Sequence, residues 1–131
     1  LVNVRARGAF CVNVVTEALL EAMNATSAEV PPGVDEFELA GLERAVSRVV
    51  DAPYVARAPA VLECQVTQEV ELHGAPNTLV IGRVVGVLVD LRLPTVEGTL
   101  CVEPGALGPV GRLWGAAYAM PGEVRIIPRP R

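Results

Sequence analysis

PAVLECQVTQEVELHGAPNTLVIGRVVGVLVDLRL, residues 59–93, is the stretch on which the fold turns. In its first half Leu62, Cys64, Val66, Val70 and Leu72 alternate with Glu63, Gln65, Thr67, Glu69 and Glu71. A period of two marks a strand with one buried and one wet face. Glu63, Gln65, Thr67 and Glu69 are therefore expected to meet water or a partner. The residues from His73 to Asn77 break the run with turn chemistry. From Leu79 to Val89 the chain is β-branched and apolar on both faces, with Gly82 and Gly86 inside it. That pattern predicts a strand covered on both sides. The reading is a long hairpin whose first strand is an edge and whose second is central.

Outward from the hairpin the signals are shorter. Val2, Val4 and Ala6 alternate with polar Asn3, Arg5 and Arg7, which suits a short helix or a strand, and Gly8 ends either. Phe10 to Val15 reads as a buried strand. Thr16 has the chemistry of an N-cap, with a helical face following to about Asn24. After the turn Pro31-Pro32-Gly33, Asp35 opens a short acidic helix and Gly41 takes its C′ position. Residues 43–50 fit a turn into a strand, and Ala52 to Pro59 holds proline-punctuated edges. Residues 99–102 are a short strand or the lead-in to a helical turn. Glu123 to Ile127 reads as a last strand before the polar tail 128–131. Together these predict a mainly β protein, a small antiparallel barrel with short helical insertions, in one domain spanning 1–131.

Composition narrows the function. The net charge is −4, all 11 basic residues are Arg, and no basic tract occurs, which points away from nucleic acid. The longest apolar run contains Arg83 and glycines, so it is not read as a membrane span. Cys11, Cys64 and Cys101 stand far apart without a CxxC, and His73 is the single histidine, so no zinc set forms. Cys64 reads as a small core residue. Unpaired cysteines in odd number point to a reducing, cytoplasmic compartment.

A serine or cysteine nucleophile would need His73, which lies in a turn. Asp35, Glu36 and Glu38 read as a solvated helix start. No catalytic side chain or metal ligand is therefore assigned, and any chemistry falls to a cofactor. Asn3, Asn13, Asn24 and Thr26, with Trp114 and Tyr118, could serve a planar one; alternatively the asparagines cap turns and the aromatics fill core gaps.

Several segments, in order and spacing, resemble the flavin reductase-like, FMN-binding split-barrel family, its flavoredoxin-like branch in particular. They are GAFCVN (8–13), EAL (17–19), MNATS (23–27), PPGVDEFELAGL (31–42), LEC (62–64), VIGRVVGV (80–87) and RLWGAAY (112–118). The resemblance implies an antiparallel Greek-key split β-barrel, FMN as cofactor, NAD(P)H as co-substrate, and a homodimer that completes the pocket. It also implies that the family's first strands and its phosphate-binding Lys-Asp-Thr-like segment precede Leu1, with the main FMN-phosphate contacts. Within this chain it assigns Asn3, Thr26, Ser27, Trp114 and Tyr118 to the cofactor. Two positions depart from the family pattern. Leu88 stands where a His is frequent, and Trp114-Gly115 replaces a Gly-Gly pair, so Trp114 either stacks on the ring or fills space. A flavoredoxin-like electron carrier reduced by a protein partner, or a barrel without flavin, remain as alternatives.

Overall fold

The computed structural model describes residues 1–31, 33–127 and 129–130. Pro32, Pro128 and Arg131 lie outside these, and with them parts of the expected Pro31–Gly33 turn and 128–131 tail. The elements are α1 (Val2–Arg7), β1 (Ala9–Asn13), a 3₁₀ turn (Glu17–Leu19) running into α2 (Leu20–Ala25), and α3 (Glu36–Leu39). Then follow β2 (Arg44–Ala45), β3 (Tyr54–Val55), β4 (Ala60–Glu71), β5 (Thr78–Val89), α4 (Pro104–Leu107), β6 (Gly111–Arg112) and β7 (Tyr118–Ala119).

The first segment resolves as helix. Gly8 closes α1 in the left-handed conformation at φ 63°, its N–H on Val4 O. Arg5 and Arg7 tie the helix down, Arg5 to Glu69 and Arg7 to Asp51, each at 2.7 Å. Thr16 has the extended backbone of an N-cap, but its side chain makes no capping bond. Asp35 does cap: its carboxylate accepts from Phe37 N at 3.0 Å and also pairs with Arg44, joining α3 to β2. Arg44 lies over the Phe37 ring as well.

The main sheet has the order β1-β4-β5, antiparallel throughout. This reverses the expected hairpin: Ala60–Glu71 is the central strand, and Thr78–Val89 has β4 as its partner on one side only among the described residues. The apolar character of β5 on both faces suggested double cover. Instead Leu79, Ile81, Val84, Val87 and Val89 are exposed, Val87 at 59%. The two-residue strands pair as β2-β3 and β6-β7. The expected barrel is not closed within the described residues, and 123–127 form no strand, with Ile126 and Ile127 exposed. A lone bridge joins Thr95 to Val102, after which Pro104 opens α4.

The hairpin is not regular. Glu63 pairs with Gly86 but Cys64 with Val84, so Val85 is an extra residue in β5; Val66 pairs with Gly82 but Gln68 with Ile81, so Thr67 is an extra residue in β4. The bulge at Val85 sends two glycines of equal parity to opposite faces. A Cβ on Gly82 would lie 2.7 Å from the Phe10 ring, whereas one on Gly86 would run into the Glu63 carboxylate and lie 3.3 Å from Val49.

Glu63 corrects the sequence reading most sharply. It is 0% exposed. The segment 46–52 covers its face: Arg48 N donates to Glu63 Oε1 at 2.6 Å, and Glu63 Oε2 has no partner. Beside it Ser47 Oγ donates to Ala52 O and lies 3.2 Å from Cys11 Sγ. Gln65 and Thr67 are exposed as expected, and Glu69 is half-buried against Arg5.

The cysteines are all free. Burial pushes the Cys11 and Cys64 thiols up; for Cys11 the nearby Glu63 adds to this and the Ser47 hydrogen bond opposes it. Only Cys101 is exposed. Alkylation at neutral pH should therefore label Cys101 first, with Cys11 and Cys64 reacting only after denaturation, as read by peptide mass spectrometry.

Asp90, just past β5, is held by Arg92 through its side chain and backbone N–H, at 2.6–3.0 Å. These bonds lower its carboxyl from 3.8 to about 2. A lowered folded value means that the pair stabilises fully above pH 3.8 and that this contribution disappears as pH falls through about 2. A carboxyl NMR titration should place the Asp90 midpoint at about 2, and Arg92→Gln should return it toward 3.8.

Candidate functional site

Past the Asn13 end of β1 the chain turns into the 3₁₀ turn and α2, and these surround a cavity of about 210 Å³. Val15, Leu19, Met23, Leu42 and Val55 give it an aliphatic wall, and Asn13 and Thr26 are its polar groups. Leu19 is buried and anchors the turn. Asn13 is neither a cap nor a turn residue: its Oδ1 accepts from Val55 N at 2.9 Å and ties β1 to β3.

The hydroxyls at the end of α2 have fixed directions. Thr26 Oγ1 donates to Met23 O and Ser27 Oγ to Asn24 O, both at 2.7 Å. With their protons turned to the helix, each presents oxygen lone pairs elsewhere, as acceptors.

The C-terminal hairpin stands next to this region. Thr16 bridges to Pro109, and Val110 N donates to Val15 O at 2.9 Å. Arg112 and Tyr118 face each other across β6-β7. The Arg112 guanidinium lies over the Tyr118 ring, donates to its hydroxyl at 3.1 Å, and donates to Gly115 O at 2.7 Å. Tyr118 is thereby oriented and half-buried, while Trp114 in the turn is 75% exposed.

Of the residues assigned from the sequence, Thr26 lines the cavity and Ser27 follows it at the helix end. Trp114 and Tyr118 lie on the adjoining hairpin. Asn3 is exposed on α1, which precedes the opposite, Ala9 end of β1. Asn13, named from the sequence among the polar residues that could serve a planar cofactor, also lines the cavity. Val15, Leu19, Met23, Leu42 and Val55 had no such assignment, since nothing local sets an aliphatic lining residue apart.

The cavity suits the edge of a planar heteroaromatic ring, with apolar walls and two polar groups. It is smaller than the ~300–1,000 Å³ of pockets that enclose a whole ligand. An FMN could place only part of its ring there.

Comparison with known proteins gives this geometry a context. A model described as the flavin reductase like domain matches residues 1–100. An uncharacterized protein of Halalkalibacterium halodurans is 37% identical over 127 residues, which cover 94% of this chain and 59% of that protein. The crystal structure of nitrilotriacetate monooxygenase component B from Bacillus cereus superposes with a TM-score of 0.84 at 33% identity, over 95% of this chain and 62% of that one. Flavoredoxin of Desulfovibrio vulgaris shares the fold, with a TM-score of 0.80 at 23% identity over 94% of this chain and 64% of its own. The chain thus spans about three fifths of the length of these proteins, and its sheet is the corresponding part of a split barrel. By the match over its first 100 residues, the chain belongs to the flavin reductase-like domain family.

Proposed function

We propose that the chain is the larger part of an FMN-binding flavoprotein that passes hydride from reduced nicotinamide to flavin. The observation that carries this is Thr26: the residue assigned from the sequence resemblance lines an aliphatic cavity beside Asn13, in a chain of the flavin reductase-like family. Bound FMN supplies the hydride acceptor. Thr26 and Ser27 act toward it as acceptors, because their protons are directed to helix carbonyls. Tyr118 accepts from Arg112, leaving its O–H to donate. Leu19, Met23 and Val55 exclude water from the ring edge. Asn3 belongs to the cofactor's surroundings at the α1 end, and Trp114 contributes from its turn. Hydride transfer needs proximity and stacking, and no dedicated acid or base is required.

The same reading closes the sheet into a Greek-key split barrel and places it in a cytoplasmic homodimer. Exposed Leu79 and Ile81, which share one face of β5, support a covered face in the assembly.

Titration with FMN, followed by quenching of flavin fluorescence, tests cofactor binding. Anaerobic addition of NADH or NADPH then tests reduction. Uptake with bleaching supports the reductase, and uptake without bleaching leaves an electron carrier of the flavoredoxin kind. Failure to take up FMN overturns both.

A further inference from the structure

Tyr54 and Val55 are neighbours in β3 and serve different cavities. Val55 lines the cavity with Thr26; Tyr54 lines a separate, larger groove of about 510 Å³. Arg48 shares that groove, and Val61, Leu88 and Val89 give it an aliphatic wall from the hairpin. Its volume lies in the ~300–1,000 Å³ range of small-molecule sites.

The charges in this groove are unequal in availability. Asp90 lines it too, but both its carboxylate oxygens are engaged by Arg92. Arg48 takes part in none of the ion pairs among the described residues. Its backbone, in contrast, is firmly anchored. Arg48 N is bonded to the fully buried Glu63, Ser47 is bonded to Ala52 O, and Asp51 is bonded to Arg7. The cation therefore stands on a loop pinned on both sides, which lowers the ordering cost of engaging a ligand.

We propose that this groove binds a small monocarboxylate with a planar apolar body, Arg48 holding the carboxylate and Tyr54 with the aliphatic wall holding the ring. One free cation matches one negative charge. A guanidinium pairs with a carboxylate through two parallel N–H bonds. Glu63 is a positioning residue here, acting through the Arg48 backbone. The inference does not rest on flavin binding, because the two cavities share no lining residue.

Benzoate is the probe, titrated into the ¹⁵N-labelled protein without flavin. Benzyl alcohol and phenyl phosphate are parallel arms. Benzoate should give saturable shifts at Arg48, Tyr54 and Leu88–Asp90, and benzyl alcohol should not. Arg48→Gln changes an exposed side chain, so it should keep the native spectrum and weaken benzoate about tenfold or more. Arg48→Lys should recover part of the loss. Absence of saturable shifts, equal binding of benzyl alcohol, or unchanged affinity in Arg48→Gln would overturn the proposal. Phenyl phosphate binding as tightly as benzoate would overturn the choice of carboxylate.

Discussion

Gly86→Ala should lower stability by about 3 kcal/mol, the upper part of the range for overpacking a filled site, and the melting temperature by roughly 10 °C. The added methyl would collide with the Glu63 carboxylate and press on Val49 at 3.3 Å. Glu63 cannot easily move away, because it is fully buried and tied to Arg48 N. The exposed Val49 side chain can turn aside, so the carboxylate accounts for the cost. Gly82→Ala is the control on the other face. There the methyl meets the Phe10 ring at 2.7 Å and Cys64 Cβ at 3.1 Å, but Phe10 is only half-buried and its ring can swing, so a loss of about 1 kcal/mol is expected. Adding Glu63→Ala to Gly86→Ala removes the obstructing carboxylate. The double variant should then be more stable than the two separate losses add up to. Denaturant melts of the four proteins decide the matter, and additivity would show that the two residues are not in contact.

Asn13→Leu should cost about 2 kcal/mol, because it leaves the Val55 N–H without its acceptor at a half-buried position. Asn13→Asp keeps an acceptor there and should stay within about 1 kcal/mol of the parent. Hydrogen exchange separates this from a general loss of packing. In the leucine variant the Val55 amide should lose protection, while amides in the centre of β4 keep theirs. Unchanged Val55 protection would show that the bond does not hold β1 to β3. The leucine variant also replaces one of the cavity's two polar groups, so FMN affinity should fall, and an unchanged affinity would show that FMN does not use this cavity.

The local devices were legible where one residue type does one job. Gly8 stops α1, Asp35 caps α3, and residues 73–77 turn the hairpin, because these positions need particular backbone or capping chemistry. The order of the sheet was not legible. Alternation in 62–72 shows that one face is buried and cannot show which edge is paired. β5 carries the composition of a doubly covered strand, and composition records the assembly in which a strand is used, not its neighbours within one chain. Glu63 was misread for a related reason. A period of two assigns it to the second face, but nothing local announces that the segment 46–52 folds over that face. Thr26 was found through resemblance, and its aliphatic surroundings come from three separate stretches, residues 15–23, Leu42 and Val55, that only the tertiary structure assembles.

The extra residue at Val85 bears on how this hairpin tolerates changes in length. Removing one residue from an ordinary strand inverts every side chain beyond the gap. Removing Val85 would instead let Cys64 and Glu63 meet consecutive partners, Val84 and Gly86, in an unbroken ladder. Gly82 would keep facing Phe10, and Gly86 would keep facing Glu63. Thr67 holds the matching position in β4. Each strand thus has one place where its length can change by a residue while both faces of the sheet keep their identity.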